Sequence, residues 1–395
     1  MPALERKFIE FIEKHISILY FAAIVGLAFY IRLIGRHFLS EDMRVFLLSW
    51  YDQMKEAGGF SGLKEQIGDY NILYQTFIAL MTYIPLNPMT MFKAFSIIFD
   101  FLMAFTAAFF VSRSLDEPLF GRTFNAVLTV VLFMPSVALN SAYWGQCDSM
   151  YAFCMLIAVC LLYKDKHLLS FIFLGLSFAF KLQTIIIVPF FLACYLVKKR
   201  FTIMMFAVSL ISFWGSGIVA YIFGRDLLAP FQVYIDQTST YKSMYMNSRS
   251  IWLVFGNEYP DFGAFAIMLS VALCGIGIYM IASKRVKLDK PGEFFAAASY
   301  FAWTCIFFLP NMHERYAYPL DILLVVTAFF DKRYIRFAVF SGFLSFMAYA
   351  PFLVHANGLG REDAFIELFV YAWFTYTVLH SADEKKPETA DGLDQ

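Results

Sequence analysis

Charged residues are scarce in this sequence for its length. Only 16% of the 395 residues are charged, whereas 60% are hydrophobic, and the mean hydropathy is +0.63. This composition lies far outside the range of soluble globular proteins and places the chain among proteins that cross a membrane several times. The formal net charge of zero argues against nucleic acid as a partner.

Common functional motifs are missing as well. The sequence has no P-loop, dinucleotide-binding or zincin motif, so a nucleotide-driven pump and a zinc protease have no support. No tandem repeat is visible, which weakens the case for a transporter built from inverted repeats. The six cysteines show no metal-ligand spacing and most lie in apolar runs, so we expect packed free thiols.

The apolar runs predict an all-α, polytopic membrane protein. A membrane helix needs about 20 apolar residues, and we predict twelve spans, near 17–36, 91–112, 123–140, 149–163, 167–183, 184–197, 201–223, 262–283, 293–310, 315–330, 334–353 and 364–380. The segment 71–88 is short and ends in Pro85 and Pro88, which favours a re-entrant or interfacial helix. We expect one transmembrane domain, 1–380, and a polar tail, 381–395, on the cytoplasmic side.

Positive charge decides the orientation of these spans, because short cytoplasmic loops collect Lys and Arg. If 71–88 does not cross, the basic clusters fall on one side, at 6–14, 113–122, 164–166, 198–200, 284–290, 332–336 and 385–386. Both termini are then cytoplasmic, and the first span is an uncleaved anchor. The other, exoplasmic side receives the long first loop, 37–70, and the short polar motifs described next.

Two acids flank that first loop. Asp42 follows the first span and Asp69 stands where the chain returns to the membrane. A partly desolvated carboxylate can take a proton from a hydroxyl group, so either is a candidate base. The alternative interpretation is a helix cap for Asp42 and an Asx turn for Asp69.

Two further motifs lie at span ends on the same side. In WGQCD, residues 144–148, the indole, amide and carboxylate groups of Trp144, Gln146 and Asp148 suit a sugar ring. An interfacial Trp followed by a capping Asp explains them equally well. In FKLQT, Lys181 and Gln183 end an apolar span, where a basic side chain often only reaches towards the headgroups.

The motif NMHERY, residues 311–316, is the sharpest signal. His313, Glu314 and Arg315 lie between two spans, where ionisable residues are costly unless they are paired or functional. The planar guanidinium of arginine matches phosphate oxygens, whereas the alternative is a simple Glu314–Arg315 surface pair. Lys93 and Asp100 share a helix face and are a candidate pair or part of a polar pocket.

These segments together resemble a known family. The acidic SEDM loop, the returning GDYN segment, WGQCD, FKLQ and HERY are similar, in this order, to motifs of the GT-C superfamily of polyprenyl-phosphate-sugar-dependent glycosyltransferases. The resemblance covers about residues 16–330 and is closest to the bacterial branch related to GPI-anchor mannosyltransferases. It implies a GT-C-like helix bundle in a bacterial cell membrane.

The resemblance also implies a reaction and a set of roles. A hexose, with mannose favoured, passes with inversion from a polyprenyl-phosphate donor to a hydroxyl of a glycan or glycolipid acceptor on the exoplasmic side. Asp42 maps onto the family's base, with Glu41 or Asp69 as alternatives because the loop reads Glu-Asp and not Gly-Asp. His313, Glu314 and Arg315 map onto the donor-phosphate contacts. The remaining expected substrate-binding residues are Tyr70, Lys93, Trp144, Gln146, Asp148, Lys181, Gln183 and Tyr316.

Some alternatives stay open from sequence alone. Members of the family differ in their need for a divalent metal, and we expect none because no DxD motif is obvious. A transporter or flippase for a lipid-linked sugar is the competing function, but its polar residues should lie near the bilayer midplane. A non-catalytic scaffold does not explain the acids and the HER motif gathered at one membrane boundary.

Overall fold

The computed structural model describes residues 3–240, 242–283 and 286–380. This part of the chain is all-α, as the sequence predicts. Within the described residues the eighteen α-helices are α1 (Ala3–Ile34), α2 (Leu48–Glu56), α3 (Ile72–Met81), α4 (Pro88–Ser114), α5 (Arg122–Phe133), α6 (Pro135–Ala138), α7 (Asp148–Tyr163), α8 (His167–Phe180), α9 (Val188–Lys198), α10 (Met204–Gly215), α11 (Ile218–Ile222), α12 (Ala229–Thr240), α13 (Trp252–Phe255), α14 (Tyr259–Ala282), α15 (Pro291–Phe308), α16 (Tyr318–Phe330), α17 (Ile335–Val354) and α18 (Arg361–Leu379).

Shorter elements join these helices. The 3-10 helices are Gly35–His37, Gly59–Lys64, Leu182–Ile187 and Lys332–Tyr334, and the π-helices are Met43–Leu47 and Leu139–Trp144. Two strands of two residues each, β1 (Tyr245–Met246) and β2 (Met312–His313), pair in parallel. The predicted tail, 381–395, lies outside the described residues.

A helix stands at each of the twelve predicted spans, but their lengths differ from the prediction. In the described residues, four helices are long and apolar enough to cross a membrane: Leu4–His37, Pro88–Ser114, Tyr259–Ala282 and Lys332–Val354. A fifth arises if Arg122–Phe133 and Pro135–Trp144, bent by 55°, form one span. The all-α membrane character is therefore supported, whereas the number twelve is not confirmed.

The predicted first loop, 37–70, is largely helical. One continuous helical run from Glu41 to Glu56 carries four of its six acids, with a π-helix in its first half. The returning helix α3 has ten residues, capped by the side chain of Asn71. Because a span needs about 20 residues, α3 is too short to cross a bilayer alone. Its predicted re-entrant or interfacial position stays a prediction.

The two short strands are held in place by a buried arginine. Arg249 follows β1 and binds Glu367 of α18 at 2.6 Å and the hydroxyl of Ser341 of α17 at 2.7 Å. Trp303 of α15 donates to the same Glu367 oxygen at 2.8 Å. A buried charge needs such partners, and this set fixes β1, which in turn pairs with the strand that contains His313.

Small residues allow the helices to pack closely. The bundle core is formed by α4, α7, α15 and α16, with α8 between α7 and α10. A Cβ atom built at Gly175 of α8 would lie 2.2 Å from the carbonyl oxygen of Ser209 in α10. Glycine is therefore required at this crossing, which is the usual way that membrane helices approach each other.

Gly175→Ala should lower the stability of the helix bundle. The new methyl group forces α8 and α10 apart, and overpacking of this kind typically costs about 1–3 kcal/mol. Thermal unfolding of the detergent-solubilised protein measures the effect. Gly26→Ala is the matched control, since nothing lies within 4 Å of a Cβ atom at Gly26 in α1. Equal unfolding temperatures for the two variants would contradict the close crossing.

Candidate functional site

One cavity collects most of the residues singled out in the sequence. Its volume is about 570 Å³. It lies between the first loop, the turn after α8, α12, α14 and the segment 309–316. Ten of the expected site residues line it: Asp42, Asp69, Tyr70, Gln146, Lys181, Gln183, His313, Glu314, Arg315 and Tyr316. Motifs that are separated by up to 274 positions in the chain thus meet in one place.

Asp42 is fixed through one of its two carboxylate oxygens. Oδ2 accepts hydrogen bonds from the indole N–H of Trp144 at 3.0 Å and from the amide of Gln146 at 2.7 Å. Nη1 of Arg315 lies 3.5 Å from the same oxygen. Among the described residues Oδ1 accepts no hydrogen bond. The side chain makes no capping bond either, so the helix-cap interpretation of Asp42 is wrong.

A buried ion pair lies beneath Asp42. Asp148, fully buried at the start of α7, binds the ammonium of Lys181 at 2.5 Å and accepts from Asn140 at 2.8 Å. The Nε atom of Arg315 is 3.6 Å from Asp148. Lys181 is only 4% exposed, so it does not reach to the headgroup region as the alternative interpretation held. Asp148 therefore holds both cations of the site.

Arg315 is the centre of the charge cluster. Its Nη1 atom binds Glu314 at 2.5 Å, and Glu314 is itself buried. The charges of Glu314, Asp42 and Asp148 surround the guanidinium and offset its burial. The pair expected as the alternative is thus present, but it is buried and it is joined to Asp42 and Asp148.

Glu314 responds to the same environment. Burial acts to raise its pKa, but Arg315 and the hydrogen bond to His313 outweigh it and keep the pKa below the usual value. Its Oε2 atom lies 3.7 Å from Nδ1 of His313. The cluster thus contains three carboxylates, Asp42, Asp148 and Glu314. They surround two cations, the side chains of Lys181 and Arg315. With His313 counted as neutral, the cluster has one negative charge in excess.

Asp69 differs from Asp42 in its surroundings. Partial desolvation raises the pKa of its carboxyl group. Its carbonyl oxygen accepts from Gln237 of α12, and among the described residues its carboxylate has no partner. The neighbouring Tyr70 donates to Gln146 at 2.9 Å. Asp69 is therefore at the cavity and ionisable, but it is held less firmly than Asp42.

Two π-helical segments meet at the site. Ser40, just before one of them, donates to the carbonyl oxygen of Trp144 at the end of the other, at 2.8 Å. Gly145 follows with φ +76°, and a Cβ atom there would lie 2.2 Å from the side chain of Met43. Glycine adopts this left-handed conformation without the strain that a side chain would bring. Irregular helix of this kind is common at functional sites.

A second buried network aligns the segments that carry the site. Asp100 of α4 accepts from Arg32 of α1 at 2.9 Å and from Ser141 at 2.5 Å, and the hydroxyl of Tyr318 lies 3.4 Å away. Each of these partners is close in sequence to a site residue: Arg32 precedes Asp42, Ser141 precedes Trp144, and Tyr318 follows Arg315, in each case by ten residues or fewer. Asp100 does not pair with Lys93. Of the two interpretations, the pair is therefore wrong, whereas Asp100 does belong to a buried polar cluster.

Four expected site residues do not line the cavity. Glu41 is exposed and paired with Arg44 at 2.6 Å, which takes it away from the base position. The ammonium of Lys93 donates to the carbonyl oxygens of Gly35 and Phe38, at 2.8 and 2.6 Å, so it stabilises the end of α1. Trp144 and Asp148 are buried behind the cavity wall. Trp144 donates a hydrogen bond to Asp42, and Asp148 contacts Lys181 and Arg315.

Sequence reasoning missed other lining residues. Trp50 of α2 and Tyr234 and Gln237 of α12 belong to no motif and contribute aromatic and amide groups. Ile185 and Ile267 also line the cavity, and each is 43% exposed. We call this exposed apolar part of the wall, between the 3-10 helix Leu182–Ile187 and α14, the side opening.

The described residues contain no preformed set of metal ligands. Among the described residues, no set of three or more His, Cys, Asp or Glu side chains is placed to hold a metal ion. The sequence-based expectation that no metal is needed stays a prediction. The cations of the site are those of Lys181 and Arg315.

Breaking the buried pair of Asp148 and Lys181 should destabilise the protein strongly. Asp148→Asn or Lys181→Met leaves one charge without its partner, which typically costs about 3–5 kcal/mol. The double variant should unfold at a higher temperature than either single variant. Arg44→Ala removes an exposed pair and is the control, with little change expected. If the loss of stability in the double variant equals the sum of the losses in the two single variants, Asp148 and Lys181 are not energetically coupled and the prediction is contradicted.

Comparison with known proteins does not assign this chain to a family. No family model matches the chain, and no curated protein matches it. The functional conclusion therefore depends on the cavity itself and on the resemblance of its motifs.

Proposed function

We propose that this protein is an integral-membrane glycosyltransferase that moves a hexose from a polyprenyl-phosphate donor to a hydroxyl acceptor. The observation that carries the proposal is the meeting of Asp42, Arg315 and Lys181 in one cavity with an apolar side opening. A carboxylate can take the hydroxyl proton and the cations can bind the phosphate. The opening at Ile185 and Ile267 suits a lipid chain that stays in the bilayer.

Arg315 and Lys181 supply the phosphate contacts. Nη1 of Arg315 is occupied by Glu314, whereas Nη2 makes no hydrogen bond with the described residues. The guanidinium therefore keeps donors for a phosphodiester. The cluster already has one negative charge in excess, so an incoming phosphate must displace a carboxylate contact of Arg315. Preorganised cations of this kind stabilise the charge that grows on a leaving phosphate.

Asp42 supplies the base. In an in-line displacement, the acceptor oxygen attacks the anomeric carbon from the face opposite the phosphate, and its proton passes to Asp42. The bond from the anomeric carbon to the phosphate oxygen breaks, and that oxygen keeps the electron pair. A phosphate leaves without help from an acid, so the second carboxyl group that a glycosidase uses is unnecessary. Oδ1 of Asp42 is available for the proton because Oδ2 holds the protein contacts.

The position of Asp42 also favours it over Asp69. Hydrogen bonds from Trp144 and Gln146 fix its carboxylate, and proximity catalysis depends on such fixed geometry. Asp69 lines the same cavity and orients the acceptor in this proposal. The resemblance to the GT-C superfamily supports mannose as the donor sugar and the outer face of the membrane as the site of reaction.

Asp42→Asn should abolish transfer while donor binding stays close to normal. Asparagine keeps the shape but cannot accept the proton, and loss of a general base typically costs about 10²–10⁴ in rate. The assay uses purified protein in liposomes with a panel of radiolabelled polyprenyl-phosphate hexoses. Asp52→Asn, an exposed acid on α2, is the control and should leave transfer unchanged.

The same assay separates the two candidate bases. Near-normal transfer by Asp42→Asn together with no transfer by Asp69→Asn would move the base to the returning segment. Binding of a donor by the unaltered protein without transfer to any acceptor would favour a transporter for lipid-linked sugar.

Arg315→Ala should lower the transfer rate by about 10²–10³, the usual loss when one charge-stabilising group is removed. Arg315→Lys should restore only part of the rate, because an ammonium cannot replace the planar fork. Steady-state kinetics with varied donor concentration measures both variants. Transfer at the normal rate by Arg315→Ala would leave Arg315 only the structural pair with Glu314.

The orientation is part of the proposal: twelve spans, both termini in the cytoplasm and the cavity on the outer side. The six native cysteines are buried and are first replaced. Single cysteines at the exposed positions Ser61 and Asp289 then report the two sides. An impermeant maleimide should label Ser61→Cys in intact cells and Asp289→Cys only after lysis. Labelling of Asp289→Cys in intact cells, with Ser61→Cys labelled only after lysis, would contradict this topology.

A further inference from the structure

A second concave surface lies at the start of α17, and we call it the basic groove. It is open to the outside, has a volume of about 680 Å³, and is lined by three basic and four apolar side chains. The basic ones are Lys332, Arg333 and Arg336. None of its residues lines the cavity around Asp42. Phe352, the cavity residue of α17, stands near the other end of that helix, about 24 Å further along.

Two of the three cations of the basic groove have no acidic partner. Arg333 binds Asp331 at 2.7 Å, so this pair is neutral. Among the described residues, the side chains of Lys332 and Arg336 form no hydrogen bond and no ion pair. Glu293, at the start of the neighbouring α15, caps its own helix by accepting from a backbone N–H at 3.4 Å. The groove therefore carries two positive charges in excess.

The guanidinium of Arg336 is held in place by an aromatic side chain of the next helix. Its Cζ atom lies 3.9 Å from the ring centroid of Trp373 in α18 and 5.1 Å from that of Phe337. Stacking of this kind uses the faces of the guanidinium and leaves the N–H groups in its plane for an anion. Arg336 is thus oriented before any ligand arrives.

An apolar stripe continues from these cations along α17. Ile335, Val339 and Phe343 are 48%, 67% and 58% exposed, and their spacing of four places them on one helix face. Phe346 extends the stripe, and Arg336 is the only charged residue of α17. From Arg336 to Phe346 the helix rises by about 15 Å, which is about half of a hydrocarbon core of about 30 Å. The stripe has the length of one lipid leaflet.

We propose that the basic groove binds an anionic phospholipid. The phosphodiester lies between Lys332 and Arg336, and one acyl chain lies along the stripe from Ile335 to Phe346. Charge complementarity selects this ligand, because a zwitterionic headgroup brings a cation of its own into a groove that already has two in excess. A soluble phosphate would leave the stripe uncovered. Basic pockets beside membrane helices bind anionic headgroups in this way.

Binding at this place connects two helices and does not depend on the proposed transferase function. The phosphate contacts Arg336 of α17, which itself stacks on Trp373 of α18. The same two helices hold the buried Arg249 through Ser341 and Glu367. A ligand that binds only the folded protein raises its stability. The bound lipid should therefore stabilise the packing of α17 against α18.

The test compares two lipids that differ only in headgroup charge. Native mass spectrometry of the full-length protein in non-ionic detergent measures the dissociation constants of dioleoyl phosphatidylglycerol and dioleoyl phosphatidylcholine. Each basic side chain contributes roughly fivefold to the affinity for an anionic headgroup. Phosphatidylglycerol should therefore bind about 25-fold more tightly, and it should raise the unfolding temperature more than phosphatidylcholine does. Equal affinity for the two lipids would overturn the proposal.

Variants locate the site. Lys332→Gln and Arg336→Gln should each lower the preference for phosphatidylglycerol about fivefold, and the double variant should lose both the preference and the thermal stabilisation. Lys166→Gln with Lys199→Gln is the matched control, since it removes two exposed cations outside the groove. An equal loss of preference in the control pair would reflect net charge alone and would overturn the proposal.

The acyl chain has its own test. Phe343→Ser should weaken binding of phosphatidylglycerol and phosphatidylcholine by the same factor, because it shortens the stripe without changing the charge. An excess of glycerol 3-phosphate should leave phosphatidylglycerol bound. Displacement by this soluble phosphate, or unchanged binding of both lipids in Phe343→Ser, would show that the stripe holds no chain and would contradict a lipid site.

The acidic tail, 381–395, is the competing occupant. In the full-length chain its five acids, Asp383, Glu384, Glu388, Asp391 and Asp394, are replaced by the corresponding amides. The preference for phosphatidylglycerol should stay as it is in the unaltered protein. A preference that appears only after this replacement would assign the groove to the tail and overturn the proposal.

Discussion

The buried carboxylate of Asp148 is the constraint on which the site depends. It lies at the start of α7, within 2.5 Å of Lys181 and 3.6 Å of Arg315. A buried anion without these cations would be very costly, and so would the cations without the anion. The turn after α8 and the segment 311–316 are consequently drawn to the same point. Arg315 extends this charge cluster to Asp42, and in this way three distant parts of the chain share one cavity.

Two other buried networks support that cluster from outside. Asp100 joins α1, the segment before Trp144 and α16 through Arg32, Ser141 and Tyr318. Arg249 joins β1 to α17 and α18, and β1 pairs with the strand that precedes Glu314. None of the polar side chains named in these two networks lines the cavity. The polar groups inside this apolar protein therefore divide into those that hold the site and those that face it.

The sequence predicted much of this arrangement, because its signals come from independent rules. Apolar runs located the helices, and the cavity brings Asp42, Gln146 and Arg315 together. The rule on positive charge predicts that these motifs share one side of the membrane, and that side stays a prediction. The number of spans was less secure, since several helices are short or bent and are completed by 3-10 or π turns. A run of apolar residues does not reveal such breaks.

Side-chain partners were the part that sequence could not give. Lys93 and Asp100 share a helix face, yet their partners lie on segments 41 or more positions away. Glu41 and Asp42 are adjacent, but successive residues of a helix diverge by about 100°, so only Asp42 turns inward. The lining residues of α12, Tyr234 and Gln237, have no motif because their role arises only when α12 packs over the cavity.

The most direct measurement of the central claim is the position of a bound donor. An electron cryomicroscopy map of the protein with a non-reactive phosphonate analogue of a polyprenyl-phosphate hexose would show it. The proposed function predicts the phosphorus atom within about 4 Å of the Arg315 guanidinium, the anomeric carbon turned towards Asp42, and the lipid chain leaving past Ile185 and Ile267. A phosphonate held elsewhere, such as on the basic surface of Lys332 and Arg336, with the cavity empty, would contradict the account.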